Sequence, residues 1–204
     1  VEEATQLVKM MEGKCDLVNV SAGVHESLEL FIRTHPNQYI DKGCNVWLAE
    51  EIRKHTTLPI STVGAITEPD MMEEIIASGK ADIVEVARPL LADPYLPLKM
   101  REGRENEIVK CLRCNGCFGE SVETGMNSCA LNPVIGNEYN EWIAAAQPTT
   151  PKKVMIVGGG PAGMQAALTA KARGHEVELY EASNSLGGAL KFARYVDFKY
   201  GLYE

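Results

Sequence analysis

Hydrophobic positions in the first hundred residues alternate between two spacings. Short β-branched runs predict buried strands at 17–23, 59–64 and 83–87. Apolar residues at helical spacing predict amphipathic helices at 5–11, 46–55 and 68–78. Pro69 fits the first turn of the third helix, and Gly79 follows its end. Strands that alternate with helices in this way indicate an α/β fold built from βαβ units around a parallel sheet.

The spacing of these units is typical of a (β/α)₈ TIM barrel, which uses about 30 residues for each unit. Three strands cannot close a barrel, and a partial barrel leaves two sheet edges unpaired. The sequence therefore predicts that residues 1–105 are the last three βα units of an incomplete barrel, with the earlier strands preceding Val1.

The pattern changes twice after residue 105. Residues 106–150 hold a cluster of cysteines and end in a linker-like stretch rich in Pro and Thr at 147–151. From 151 to 204 an apolar run, a glycine-rich turn, a helix to about Arg173 and a second apolar run follow each other. This order is typical of the first βαβ unit of a Rossmann-like dinucleotide-binding domain, which is also expected to be incomplete.

Composition narrows the classes of protein to consider. Of the 204 residues, 45% are hydrophobic and 24% charged, as in soluble globular proteins, and the formal net charge is −8. That charge disfavours nucleic acid or an anionic membrane as partner, and no apolar run reaches the ~20 residues of a membrane span. With no export signal at the start, we expect a cytoplasmic protein that acts on a small molecule. The composition is compatible with assembly of the protein into a homo-oligomer.

Four of the six cysteines lie close together, with the spacing Cys-x₂-Cys-x₂-Cys-x₁₁-Cys. They are Cys111, Cys114, Cys117 and Cys129. Three thiolates at intervals of three residues can converge on one point, and a fourth from a separate loop completes the Cys₄ ligation of an iron–sulfur cluster. The spacing favours a [4Fe–4S] cluster. A structural zinc site is the alternative, although such sites usually present two separated Cys-x₂-Cys pairs.

A glycine-rich turn follows the apolar run at 154–157. Gly158 permits the tight turn, Gly160 lets the backbone approach a pyrophosphate, and Gly163 allows close packing of helix and strand. Ala162 belongs to the same turn, and the pair Gly187 and Gly188 is expected to pass near the same cofactor or to form a plain turn. Glu181 is placed to accept hydrogen bonds from an adenosine ribose, which favours FAD or NAD over NADP; the alternative is a solvated glutamate at a strand end.

In TIM barrels, phosphate often binds in the loops after the last two strands. Those loops would contain Gly64, Ala65, Ala87 and Arg88, with Arg88 either facing a phosphate or ending a strand as a surface cation. His25 follows the first strand on the same face and is a candidate for proton transfer, or an ordinary loop residue. The remaining histidines, His35, His55 and His175, are expected to be solvated or capping residues.

Four landmarks in fixed order give these motifs a common context. They lie at 16–23, 87–94, the cysteine pattern ending in 129–133, and 154–163. Together they resemble the iron–sulfur branch of the old yellow enzyme family, which includes 2,4-dienoyl-CoA reductase, trimethylamine dehydrogenase and enoate reductases. The resemblance covers essentially the whole chain. It implies an FMN-binding barrel, a [4Fe–4S] cluster and a portion that binds FAD and NAD(P)H, with electrons passing from NAD(P)H through FAD, the cluster and FMN to the substrate.

The resemblance also implies roles for particular residues. The four loop residues Gly64, Ala65, Ala87 and Arg88 match the family's FMN-phosphate positions. His25 matches a histidine that assists substrate protonation in the dienoyl-CoA reductases, although Val24 replaces a bulky aromatic residue there. Trimethylamine dehydrogenase lacks this histidine, so we expect an enzyme that reduces an activated C=C bond. The alternatives are an amine dehydrogenase, an electron-transfer module without catalysis and a zinc-binding module. The family's tyrosine acid would precede Val1, and its nicotinamide-binding insert would follow Glu204.

Overall fold

The computed structural model describes residues 1–125, 128–139, 150–197 and 199. The chain divides into two compact units, Val1–Gly136 and Asn137–Glu204. The cysteine-rich stretch up to Gly136 therefore belongs to the same unit as the predicted barrel strands. The predicted linker at 147–151 lies largely outside the described residues, and the predicted domain limits at 105 and 150 stay predictions.

The first unit contains a parallel three-stranded sheet, as the sequence predicts. Its strands are β1 (Val18–Val20), β2 (Ile60–Thr62) and β3 (Ile83–Val84), in the order β1-β2-β3. Val18 pairs with Ile60, and Ser61 pairs with Ile83. The strands are shorter than predicted. After β2 the backbone reaches Gly64 with φ 132° and Ala65 with φ 54°, values outside the β region, so the strand cannot continue.

The described helices of this unit are α1 (Glu2–Met11), α2 (Leu28–Thr34), α3 (Val46–Arg53), α4 (Pro69–Ala77), α5 (Arg88–Ala92), α6 (Leu96–Arg101) and α7 (Gly116–Thr124), with a 3₁₀ turn at Glu105–Glu107. Of these, α1, α3 and α4 lie at the predicted places, whereas α2, α5 and α6 are not among the predicted helices. Pro69 opens α4, and Gly79 follows the helix in a left-handed conformation with φ 71°. Helix α7, inside the cysteine cluster, is not predicted by the periodicity.

The core of this unit forms around the central strand. All three residues of β2 are buried, and α3 and α4 contribute Ile52 and Ile75 to the same apolar cluster. Ile60 and Ile75 are 0% and 1% exposed. Burying an isoleucine contributes roughly 1.5–3 kcal/mol, so these residues anchor the helices to the sheet. The loops that follow β2 and β3 consequently emerge from a rigid base at the carboxyl ends of the strands.

The second unit contains the predicted βαβ element. Strands β4 (Lys153–Val157) and β5 (Glu176–Tyr180) pair in parallel, with Val154 opposite Val177, and α8 (Pro161–Ala172) connects them. A 3₁₀ helix follows at Gly188–Tyr195. Both strands alternate between half-buried and exposed positions. Of the helices in the described ranges, none combines the length and apolar character needed to cross a bilayer.

Candidate functional site

A cavity of about 280 Å³ lies at the carboxyl ends of β2 and β3. The four residues predicted to hold the FMN phosphate all line it: Gly64, Ala65, Ala87 and Arg88. The other walls come from the segment after α2, from the turn before α5 and from the cysteine-rich stretch, including Cys111 and Cys117. The structure thus brings the predicted phosphate-binding loops together in one concave site, while their role toward FMN stays a prediction.

Gly64 is required by the shape of this site. Its φ of 132° is strained for any residue with a side chain, and a Cβ atom there would stand 2.6 Å from Nδ2 of Asn45. Asn45 is only 2% exposed and donates from that nitrogen to the carbonyl oxygen of Arg33, at 3.2 Å. Because the amide is fixed, the backbone after β2 lies directly against it. Gly64 therefore lets the cavity wall pass closer to the core than any side chain would allow.

Arg88 is held inside the cavity wall. One terminal nitrogen donates to the carbonyl oxygen of Pro36 at 2.8 Å, and the other donates to Oδ1 of Asn115. Asn115 in turn donates from Nδ2 to the carbonyl oxygen of His35 at 3.0 Å. Arg88 is half-buried and bonded to two other segments, and its role toward a phosphate stays a prediction. Arg88 fastens the cysteine-rich loop to the segment after α2.

The four cysteines line a second, smaller cavity of about 20 Å³. It shares Arg88, Leu91, Cys111 and Cys117 with the larger cavity. Burial raises the pKa of the Cys111 thiol; Arg88 opposes that rise, and the neighbouring thiols Cys117 and Cys129 add to it. The four thiols thus line one common space, while their role as ligands stays a prediction.

The backbone between the first three cysteines turns by an unusual route. Arg113 and Asn115 both adopt left-handed conformations, with φ 53° and 59°. The N–H of Arg113 points to Sγ of Cys111 at 3.4 Å, and the N–H of Leu131 points to Sγ of Cys129 at 3.5 Å. Left-handed residues reverse the direction of the chain between the cysteines, and all four thiols line one space. Within the described residues, no three His, Cys, Asp or Glu side chains are near enough to hold a single metal ion.

His25 lies next to His35, a residue of the larger cavity wall. Its side chain is exposed and is not part of the cavity lining, but its ring centroid is 5.2 Å from that of His35. His35 caps the carboxyl end of α2, as expected for a histidine at a helix end, yet it is half-buried and lines the cavity. No local signal marks this placement, because the residues that enclose His35 are distant in sequence.

The glycine-rich turn of the second unit has the close packing that the motif predicts. Gly158 has φ 105°, and a Cβ on Gly163 would overlap the carbonyl oxygen of Gly158. Gly160 and Gly188 approach so closely that a Cβ on Gly188 would stand 3.0 Å from the Cα of Gly160. The N–H of Gly187 donates to the carbonyl oxygen of Gly159 at 2.8 Å, which joins the two glycine segments. Ala162 is exposed in the first turn of α8.

Glu181 stands immediately after β5 and faces this turn. Its two carboxylate oxygens accept the N–H groups of Ser183 at 2.8 Å and Gly159 at 2.7 Å. These two backbone hydrogen bonds, Ser183 first, lower the pKa of Glu181 to about 2. A carboxylate has about four acceptor positions, so two backbone bonds leave room for further donors. Glu181 is therefore an ionised acceptor tied to the glycine turn, and not a merely solvated residue.

Comparison with known proteins places these features in a family. The model of the NADH:flavin oxidoreductase / NADH oxidase family matches residues 4–107, and that of FAD dependent oxidoreductases matches residues 153–195. The NADH oxidase of Thermoanaerobacter brockii is 48% identical, over 95% of this chain and 30% of its own length. The cinnamate reductase of Clostridium sporogenes is 38% identical, over 90% of this chain and 27% of its own length.

Solved structures agree with these relatives. A 2-naphthoyl-CoA reductase in complex with 2-naphthoyl-CoA superposes with a TM-score of 0.87 at 36% identity, over 98% of this chain and 30% of the other. Histamine dehydrogenase from Rhizobium sp. 4-9 gives a TM-score of 0.82 at 29% identity, over 99% of this chain and 30% of the other. The chain spans less than a third of the length of these proteins. It belongs to the NADH:flavin oxidoreductase / NADH oxidase family.

Proposed function

We propose that this chain is part of an NAD(P)H-dependent flavin and iron–sulfur oxidoreductase that reduces an activated C=C bond in an enone, enoate or dienoyl thioester. The observation that carries the proposal is the shared wall of the two cavities. Arg88, Cys111 and Cys117 line both the space beside the predicted phosphate loops and the space between the four thiols. Groups bound in the two spaces would be immediate neighbours, as an electron path requires.

The larger cavity fits the phosphate end of FMN. Gly64 and Ala65 offer a backbone without bulky side chains, and Arg88 supplies a fixed positive charge. An arginine that already donates to two carbonyl-type oxygens is oriented before a phosphate arrives, which reduces the entropy lost on binding. When bound, the flavins and the cluster supply the hydride and electron chemistry, in the order that the family resemblance implies.

The smaller cavity fits an iron–sulfur cluster better than a zinc ion. Three cysteines at intervals of three residues and a fourth from a separate segment are typical of the Cys₄ ligation of a cluster, whereas zinc sites usually present two separated Cys-x₂-Cys pairs. The N–H groups directed at the sulfurs of Cys111 and Cys129 are the hydrogen bonds that stabilise anionic cluster ligands. We therefore infer that Cys111, Cys114, Cys117 and Cys129 hold a [4Fe–4S] cluster.

The second unit fits the start of a Rossmann-like domain that holds FAD, with NAD(P)H bound by the longer protein. Gly158, Gly160, Ala162 and Gly163 would face the pyrophosphate at the start of α8, and Gly187 and Gly188 would close over it. Glu181, ionised throughout the physiological pH range, would accept the ribose hydroxyls. The first unit correspondingly fits the last three βα units of a TIM barrel, and we infer a small-molecule substrate and a cytoplasmic location.

His25 is proposed to assist the protonation of the substrate that completes the reduction. It stands beside His35 in contact with solvent, where an imidazole can be reprotonated after each turnover. The likeness to a cinnamate reductase and to a 2-naphthoyl-CoA reductase supports reduction of a conjugated substrate. The likeness to histamine dehydrogenase and to a dimethylamine dehydrogenase favours an amine dehydrogenase as the second candidate.

The test uses the complete protein purified without oxygen. We expect about four iron atoms per chain, one FMN and one FAD, and NADH oxidation that depends on an added enone or cinnamate. Reduction of the bound flavin by an amine without NADH would favour the second candidate. One zinc with no iron would exclude the cluster.

The His25→Ala variant tests the proton donor. It should lower enone turnover about 10²-fold or more with FMN retained, whereas His55→Ala, at the end of α3 and outside the cavity lining, should match the parent enzyme. Unchanged turnover in His25→Ala would exclude this role for His25.

A further inference from the structure

His35 lines the larger cavity of the first unit. Its ring stacks on Phe31, with centroids 4.9 Å apart and planes 20° apart, and packs against Phe118 at 4.4 Å. The ring of His25 lies on a third side, with its centroid 5.2 Å from that of His35. The ring of His35 is thus held on several sides by elements from different parts of the first unit.

The hydrogen bonds around His35 determine its tautomer. The hydroxyl of Thr34 donates its single proton to the carbonyl oxygen of Phe31, at 2.7 Å. The hydroxyl oxygen of Thr34 is also 2.8 Å from Nδ1 of His35. With the hydroxyl proton directed at Phe31, the hydroxyl oxygen is free to accept from His35, and we assign the hydrogen of the ring to Nδ1 on that ground. In the neutral ring, Nε2 then has a lone pair and acts only as an acceptor.

The charges around His35 favour that neutral ring. Burial, then repulsion from His25 and from Arg88, lower the pKa of His35. His25 reaches it from the loop after β1, and Arg88 from the start of α5; Glu85 and Arg113 are the other charged side chains in the described cavity wall. Protonation of His35 would add a second positive charge beside Arg88, so an additional proton is better placed on the exposed His25.

We propose that His35 is the positioning partner of His25: fixed as the Nδ1–H tautomer by Thr34, it presents Nε2 as an acceptor for the N–H of a protonated His25. A modest turn of the exposed His25 ring, 5.2 Å away between centroids, brings the two together. The contact stabilises the protonated form of His25 and directs its second N–H toward the cavity.

The catalytic consequence rests on the proposed function. When His25 gives up a proton in assisting protonation of the substrate, solvent returns one proton to His25 in each cycle. His35 begins and ends the cycle neutral, with the same hydrogen on Nδ1. His35 is therefore a positioning residue and neither gives nor takes a proton.

The test measures the protonation of each histidine separately in the complete, cofactor-loaded protein. Diethyl pyrocarbonate modifies only the unprotonated imidazole, so the rate of modification against pH gives a titration midpoint for each residue. Trypsin cuts after Lys14, Arg33 and Lys42, which places His25 and His35 in different peptides, 15–33 and 34–42. His55, in a separate peptide that begins after Lys54, is an internal reference.

Two substitutions separate packing from hydrogen bonding. His35→Phe keeps an aromatic ring but removes the acceptor, and we expect the midpoint of His25 to fall by about 1 pH unit. His35→Gln loses the ring but offers an amide oxygen near the place of Nε2, and the midpoint should return toward that of the parent protein. Both replacements are uncharged, as the neutral ring of His35 is, so neither adds a charge beside His25.

An unchanged midpoint in His35→Phe, or a fall that His35→Gln does not reverse, would overturn the proposal. Thr34→Val provides a variant that leaves the ring in place: without the hydroxyl the tautomer is no longer fixed, and the midpoint should fall by a smaller amount. No fall in Thr34→Val would also count against the proposal. If the parent enzyme reduces no enone, the proposed function fails, but the midpoints still decide whether the two histidines act as a pair.

Discussion

The two units of this chain build their candidate sites in different ways. In the first unit, β2 is buried along its whole length, and every buried hydrophobic side chain of the described residues belongs to this unit. In the second unit, β4 and β5 are half-buried on one face and exposed on the other, where Val157 is 78% exposed. The first unit therefore positions its site by tertiary packing, and the second positions its site by the local path of the backbone.

The two sites correspondingly differ in how many segments of the chain contribute to them. The site of the second unit comes from a single stretch, 158–188. Within it, the Glu181 carboxylate accepts the N–H of Gly159, and the N–H of Gly187 donates to the carbonyl oxygen of Gly159. The site of the first unit comes from loops after two strands, the end of α2 and the cysteine-rich stretch. A change in the second unit should affect one cofactor, whereas a change at a junction of the first unit should affect two.

The largest effect is expected for Gly163→Ala. The added Cβ would overlap the carbonyl oxygen of Gly158, so α8 must move away from β4. We expect a cost on the order of 3 kcal/mol and more than about a tenfold loss of FAD affinity. FMN and iron contents should not change. Chromatography of the released flavins, together with iron analysis, measures all three.

Gly119→Ala is the matched control, because Gly119 lies within α7 with no atom near the added methyl group. It should stabilise the helix by up to about 1 kcal/mol and leave both flavins bound. A Gly163→Ala protein with a full complement of FAD would contradict the account of the glycine turn.

Gly64→Ala should have the next largest effect, this time on the first unit. An alanine at this position would have an unfavourable φ of 132°, and its Cβ would clash with the buried amide of Asn45. We expect a loss of about 2–3 kcal/mol and weaker FMN binding with FAD retained. Gly79→Ala is its control: φ is 71° there, but no atom lies near the added group, so only backbone strain of about 1 kcal/mol remains. Equal effects of the two variants on FMN binding would show that Asn45 does not limit the cavity wall.

Substitutions of Asn115 test whether the two cavities of the first unit depend on each other. Asn115→Ala removes the bonds to Arg88 and to the carbonyl oxygen of His35 and strains the left-handed backbone, at a cost of about 1–3 kcal/mol. Asn115→Gly keeps the backbone conformation and removes only the side-chain bonds. We expect both variants to weaken FMN binding and to alter the EPR spectrum of the reduced cluster. A change confined to the cluster would mean that the sites are independent, and the comparison between the units would fail.

The smallest effect concerns Glu181 and pH. Its pKa in the folded protein is about 2, below the ordinary value of 4.5, so the ionised carboxylate stabilises the glycine turn at every pH above about 4.5. That contribution is lost as the pH falls from 4.5 toward 2. Hydrogen exchange of peptides covering 182–187, corrected for the intrinsic rate, should show loss of protection in this range. Glu181→Gln should remove the pH dependence; an identical profile in both proteins would assign it to another group.

The sequence predicted most of the fold because its signals are local. The βαβ order, the proline at the start of α4 and the glycine turn before α8 depend on residues a few positions apart. Strand ends were less accurate, since β2 ends where Gly64 and Ala65 take φ values that periodicity does not reveal. Helix α7 was missed because the cysteines within and before it dominate the pattern of that stretch.

The sequence by itself determined which residues could bind cofactors: four cysteines in ligand spacing, a glycine turn followed by Glu181, and loop residues placed at strand ends. Only the tertiary structure decided that Arg88 joins Pro36 to Asn115 and that His35 lies in the cavity wall with Thr34 fixing its tautomer. The contacts of Arg88 span 27 and 52 residues, and the bond from Asn115 to His35 spans 80. Contacts at such separations arise from the packing of whole elements and leave no periodic trace in the chain.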